Sequence, residues 1–453
     1  MRFSPRLTRA SVTLATGALL AATIAACGSQ APSGDGGSAT EGTVNWWSWT
    51  PDNDLAERLI AAFNEEYPDI EVIYKKVPSD NYAALLKPAL ASNDGPDVFT
   101  VNASGAFSAE SFAPYAYDLT SDVEALLGED WESQIFAGAV EAFTVDDRLV
   151  AGAWAKVGAG IMWINQQLFE EYELEPPTTL DEWVSVCETF RANGHGCFRE
   201  GLANSGFVID TIHSILDSVE PGAWARVLET GEWDDPAVIE ALELLRTLQD
   251  EGILDEGSVG IQQYPDVNNA FLTGTVPIVQ MGTWYQQYAT VNSLTAALEG
   301  AGVPADTPKI TILPVSFPDV AGYGNPPTMY ADPDAGNAVN AKSEDRNAAI
   351  TFALWLGHTE AGQQEVVNNM DSFAVLDGIT PQFDQIELVD PEAQMPALQE
   401  ITAQLGEATD VRSYGISAEL SQALIDAAQA MVNSERPAAD VAQDLQTVAT
   451  AQG

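Results

Sequence analysis

Residues able to do covalent chemistry are scarce in this chain. Residues able to grip a flat, hydroxylated molecule are not. There are three histidines, His195, His213 and His358, and three cysteines. No Gly-x-Ser-x-Gly, His-Glu-x-x-His, phosphate-binding Walker loop or dinucleotide fingerprint occurs. With 67 acidic residues, carboxylates must meet somewhere, so an acid pair says nothing about hydrolysis. Oxygen-only metal ligation is equally unspecific, and no EF-hand loop is visible. What stands out is aromatic surface near expected loop ends: Trp47, Trp49, Trp154, Trp163, Trp284, Tyr285 and Tyr323. A sugar ring offers an apolar C–H face and a rim of hydroxyls. Flat rings pack on the face, and Asp, Asn, Ser and backbone groups satisfy the rim. The same aromatics have a packing reading. Trp46 and Trp47 point to opposite faces of an alternating strand, so one of them is core. Trp183 and Trp355 lie inside helical patterns and are assigned to core. Trp154 and Trp163 divide between hinge packing and ligand contact. Trp49 and Trp284 are assigned to ligand, and Tyr323, in "GYGNPP", to ligand or to loop anchoring.

The elements that would position these residues alternate. "TVNWWSW" reads as a strand, and "DLAERLIAAFNEEYPD" as a helix with Leu55, Leu59, Ile60 and Phe63 on one face and Asp54 as N-cap. "IEVIYKKV", "DNYAALLKPALAS" and "DVFTVN" continue as strand, helix, strand. This is the pattern of an open α/β sheet, in which ligands sit beyond the carboxyl ends of the strands. Trp49 and Asn102 are at such ends. Asp146-Asp147 marks a hairpin turn, and Thr179 or Asp181 caps a helix after Pro176-Pro177. "ITILPVSFP" is a further strand, and the chain closes with two helices separated at Arg436-Pro437.

A length of 453 residues implies two or more domains, and 46% hydrophobic residues suffice for proper cores. A net charge of −49 disfavours nucleic acid and anionic lipid as partners. At the N-terminus, Arg2, Arg6 and Arg9 precede "SVTLATGALLAATIAAC", which is apolar and too short for a permanent span. Ile24-Ala25-Ala26-Cys27 resembles a bacterial lipobox, which implies a diacylglyceryl group on Cys27. Removing residues 1–26, with their three arginines and no acids, takes the charge from −49 to −52. "GSQAPSGDGGSATEG" reads as a flexible tether. Cys187 and Cys197 would lie outside the membrane, where a disulfide persists. A metal site with His195 is the weaker alternative, because no fourth ligand has obvious spacing.

Several phrases resemble the extracellular solute-binding proteins of sugar-type ABC importers, the group of maltose-binding protein. They are the lipobox with "TVNWWSW", "AAFNEEYPDIEVIY", "LASNDGPDVFTVN", "GIMWINQQLFEEYELEPPTTLDEW" and "NNAFLTGTVPIVQMGTWY". Ile164-Asn165-Gln166-Gln167 departs from the family's Tyr-Asn-Lys-Asp, and Pro277 stands where a small residue is preferred. The resemblance implies a two-lobed α/β fold of the type II periplasmic-binding-protein kind, with a hinge and an interlobe cleft. Its expected division is signal peptide 1–26, tether 27–42, lobe 1 at 43–150 and 312–355, and lobe 2 at 151–311 and 356–453. The positions it implies for ligand contact are Ser48, Trp49, Thr50, Asn102, Ser104, Lys156, Asn204, Trp284, Tyr285, Tyr323 and Tyr414. It further implies a sugar-capturing lipoprotein that is monomeric and not an enzyme. Such a protein carries no cofactor or metal, sits on the extracytoplasmic face of the cell membrane, and is read by a permease with an ATPase. The rivals are a secreted glycoside hydrolase, a binding protein for a non-sugar solute such as a polyamine or an iron complex, and a structural surface lipoprotein.

Overall fold

The computed structural model describes residues 36–451, apart from 93, 204, 205, 305, 409, 410, 434 and 435. Cys27, the expected signal peptide at residues 1–26, and Asn204 lie outside the described residues. Ten strands form two main sheets and one hairpin among these residues. The first sheet has the order β2-β1-β3-β10-β6, from β1 (Gly42–Ser48), β2 (Ile70–Lys76), β3 (Val98–Val101), β6 (Gly152–Ala159) and β10 (Tyr330–Val339). Strands β1, β2 and β3 are parallel, and β10 runs antiparallel to both β3 and β6. The second sheet is antiparallel, with β7 (Ile161–Asn165) between β8 (Ile278–Gln280) and β9 (Ile312–Ser316). β4 (Thr144–Val145) and β5 (Arg148–Leu149) make the expected hairpin, with both turn residues, Asp146 and Asp147, at positive φ.

Alternation along β1 puts Val44 and Trp46 at zero exposure in the first core, and leaves Trp47 on the other face under the Lys75 ammonium, 3.5 Å from its centroid. Helix Asn53–Glu66 buries Leu55, Ala56, Leu59 and Phe63 against this sheet, and its cap residue is Asp52 rather than Asp54. The second sheet carries helix Leu180–Ala192, capped by the Thr179 hydroxyl, and its Cys187 is joined to Cys197 as a disulfide. The closing helices Ala418–Asn433 and Ala438–Thr450 pack in the same core as Trp183, Trp224 and Leu245.

Sheet pairing moves the expected lobe boundaries. β6 was expected in lobe 2 but completes the first sheet, and Val150, Ala153 and Trp154 join the first core. Leu356, Val366 and Val375 also belong to that core, so the chain stays with lobe 1 beyond 355. β9 and the following Phe317 and Val320 were expected in lobe 1 but belong with β7 in lobe 2. The reason is the crossing at Gly160. One glycine at φ 93° separates β6 from β7, so the sheets change one strand later than the sequence reading placed it. Trp154 and Trp163 are 1% and 0% exposed and pack in the two cores.

Candidate functional site

The cleft-side edge of lobe 1 lies at the carboxyl ends of β1 and β3. At the end of β1 the buried Ser48 hydroxyl donates to the Thr50 carbonyl, and the Thr50 N–H donates back to it at 3.3 Å. This closed turn sets Trp49, half-buried, against Phe107 and Tyr82 at 4.7 and 5.3 Å. The Thr50 hydroxyl donates to Asp371 Oδ2 at 3.3 Å. At the end of β3, Asn102 Nδ2 donates to the Asp334 carbonyl and carboxylate at 2.7 and 3.1 Å. Asn102 Oδ1 accepts the Ser104 N–H at 3.1 Å, and the Ser104 hydroxyl is 3.2 Å from that of Ser413.

Lobe 2 answers with a 3₁₀ helix, Thr283–Ala289, directly after β8. Its three-residue period puts Trp284 and Gln287 on one face. Gln287 Nε2 donates to the Trp284 carbonyl at 3.0 Å and to Asp371 Oδ1 at 2.8 Å. Asp371 therefore ties Thr50 of lobe 1 to the Trp284 turn of lobe 2. The Trp284 ring is half-buried. Its Nε1 donates to the Tyr264 hydroxyl at 3.2 Å, Phe207 lies 5.8 Å away, and the Arg412 guanidinium sits 4.8 Å from its centroid. Arg412 is fixed by two bonds to Asp210, both 2.8 Å. The buried Asp332 carboxylate accepts the backbone N–H groups of Arg412, Ser413 and Tyr414 at 2.8, 2.6 and 2.9 Å.

The electrostatics are acid-rich. Burial pushes Asp371 up to about 7, with Asp334 adding repulsion, while Lys76 and the Thr50 hydroxyl pull it down. Burial also raises Asp332 and Asp334, against the opposing N–H groups of Ser413 and the charge of Arg412 respectively. Burial works against the Arg412 charge, but Asp210, Asp334 and Asp332 together hold it firmly protonated.

Of the positions expected from sequence, Trp49, Thr50, Asn102, Ser104, Trp284 and the Tyr414 backbone converge on this region. Others do not. Tyr285 is fully buried between Trp163 and Phe271, with its hydroxyl on Asn268, because the 3₁₀ period turns it away from Trp284. Ser48 is also fully buried, and it shapes the turn instead of lining the cleft. Lys156 lies over Phe136 at 4.5 Å, and burial lowers its pKa against the pull of Asp377. Tyr323 is 61% exposed on a lobe 2 loop, hydrogen-bonded to Glu240 at 2.6 Å, not on lobe 1. Burial raises the Tyr414 hydroxyl pKa, and the Glu141 carboxylate of lobe 1 adds to the rise. Asp210, Asp332, Asp334, Asp371, Arg412 and Gln287 went unpredicted, since no short motif marks them.

A family model described as bacterial extracellular solute-binding protein matches residues 58–397. The chain belongs to that family. Among curated relatives of this solute-binding protein is the melibiose/raffinose/stachyose-binding protein MelE of Bacillus subtilis (strain 168). It is 25% identical over 175 residues, a stretch covering 38% of this chain and only 37% of MelE. The multiple sugar-binding protein of Streptococcus mutans is 23% identical over 331 residues, 71% of this chain and 72% of that protein. Among solved structures, maltose-bound MalE3 of T. maritima superposes with a TM-score of 0.69 at 18% identity, covering 91% of this chain and 100% of that one. At that identity the likeness shows the two-lobed fold alone.

Proposed function

We propose that this solute-binding protein is the carbohydrate receptor of an ABC importer, capturing a sugar, best an oligosaccharide, by hinge closure and handing it to a permease. The observation that carries the reading is the partly exposed Trp284 ring, held under the Arg412 guanidinium and beside Phe207 and linked through Gln287 and Asp371 to the polar end of β1. An indole held in place by a cation and an aromatic can offer the part of its surface that stays accessible to the C–H face of a sugar. Thr50, Asn102 and Ser104, short side chains across the cleft, suit its hydroxyls. The sugar ligands in the names of the relatives support the same reading.

The mechanism needs no covalent step. Ligand bridges both lobes only when they are closed, and so shifts the population toward the closed form that a permease recognises. Lipidation at Cys27, attachment to the extracytoplasmic face, a monomeric state and the absence of catalysis belong to this proposal. Intrinsic tryptophan fluorescence titrated with mono- and oligosaccharides tests it. A saturable change that W284A abolishes supports the reading. Cleavage of the sugar by the purified protein would turn it toward a hydrolase.

A further inference from the structure

The geometry points to a saccharide that carries a protonated amine, held by Asp334 and Asp371. This rests on the carbohydrate reading above and narrows it. Four carboxylates surround the site, and they are not equivalent. Asp210 is matched by Arg412 through two bonds. Asp332 is neutralised by a fan of donors, three backbone N–H groups and the Ser413 hydroxyl. Asp371 is 4% exposed and has only the neutral donors Thr50 and Gln287. Asp334, half-buried, has only the Asn102 amide on its carboxylate. Among the described residues neither forms an ion pair. The basic groups nearest the cleft side of lobe 1 are committed elsewhere: Lys76 to Asp52, and Arg58 to Asp54 and Asn369. Arg412 and Lys76 act on Asp334 and Asp371 through space but are each bonded to another carboxylate, and a carboxylate withdrawn from water with no cation bonded to it favours a proton or a cation.

A second observation is independent of the acids. Gln287 is 5% exposed, and its Nε2 faces two acceptors, the Trp284 carbonyl and Asp371 Oδ1. Two acceptors on one side fix which end of the amide is nitrogen. Its Oε1 is thereby left beside Asp371 as a buried acceptor with no partner among the described residues. The unfilled capacity of these three groups is all acceptor: Gln287 Oε1 and the remaining lone pairs of Asp334 and Asp371. A sugar hydroxyl offers one hydrogen and no charge. An ammonium group offers three N–H donors and a positive charge that could bond these carboxylates directly. Trp284, one turn away on the same helix face, supplies the ring surface for the sugar that carries it. The charged groups acting on Asp371 are Asp334 on β10, Lys76 on β2 and Asp54 on the helix that follows β1.

The test is titration calorimetry of the whole chain near pH 7. The probes are di- to tetrasaccharides in matched pairs, glucose-based and glucosamine-based, with α-1,4 and β-1,4 linkage, and spermidine as an amine without a sugar. The expected result is that an amine-bearing saccharide binds at least tenfold tighter than its neutral counterpart. D371N and D334N should each remove most of that preference, read as the ratio of aminated to neutral affinity on the same variant. If one variant fails to fold, the other still decides. Neutral saccharides binding as tightly as aminated ones, with both variants indifferent, overturns this inference and leaves carbohydrate capture standing. Spermidine binding with no saccharide bound, or no binding at all, overturns both.

Discussion

Trp284 and Glu200 show how differently two buried side chains can be used. Trp284 keeps part of its ring accessible at the edge of a core, so truncating it removes stacking surface together with some edge packing. W284A should weaken saccharide binding tenfold or more, measured by calorimetry, while the melting temperature stays within a few degrees. Equal affinities would exclude a stacking role. Glu200 is 1% exposed, and the Thr211 hydroxyl lies 2.9 and 2.7 Å from its two oxygens and close to Gln280 Oε1. One hydroxyl hydrogen cannot serve three acceptors, so a proton on Glu200 completes the network. Burial pushes Glu200 up to about 8, against the Thr211 hydroxyl. The folded state thus keeps a proton that the unfolded chain releases near the ordinary carboxyl value of about 4.3. The stability this group provides is intact below that value and is lost as pH rises through about 8. E200Q removes the titration and should flatten the fall of melting temperature between pH 5 and 8.5. Parallel curves for both proteins would contradict it. At this scale the sequence showed the aromatics and the strand-end polar residues, because type and position coincide there. It hid Asp334 and Asp371, because 67 acids leave no single one conspicuous.

The elements were legible where periodicity is strong, as in β1, helix Asn53–Glu66 and the Thr179-capped helix. β10 was not: "YADPDAGNAV" carries Pro333 and Gly336, both poor strand residues, and tolerates them at a register shift against β6. With β10 unseen, the site residues Asp332 and Asp334 had no element to sit on, and the lobe boundary moved. The crossing glycine carries a sharper consequence. A Cβ on Gly160 would come within 2.3 Å of the Thr328 carbonyl, on a backbone at φ 93°. G160A should therefore cost about 2 kcal/mol or more in chemical denaturation. An unchanged midpoint would show that the crossing relaxes freely. The Cys187–Cys197 bridge closes a short loop, with ten residues of separation. Replacing both cysteines by alanine should cost about 2–3 kcal/mol in the chain-entropy model. Denaturation with and without reductant reads the same quantity, and no difference would mean that the unfolded loop is already restricted.

Across the whole molecule, the lobes meet at Asp371, at Ser413 and Asp332, and again in polar contacts at the start of helix Asn53–Glu66. Tyr288 donates to Asp52 at 3.3 Å, Ser293 to Asp54 at 3.4 Å, and Arg58 to Ser293 at 3.2 Å. Such polar contacts exchange readily with water, so a ligand touching both sides supplies free energy that favours closure. The Y288F and S293A pair should lower saccharide affinity severalfold without altering the sugar preference. A changed preference would put these residues in the ligand site itself. The most direct test of the account is a melting-temperature screen of the whole chain against mono- and oligosaccharides. The account predicts that at least one saccharide raises the melting temperature in a saturable way, worth about 2.7 kcal/mol at 100 times its Kd, and that W284A loses most of the shift. No shift with any saccharide would contradict it.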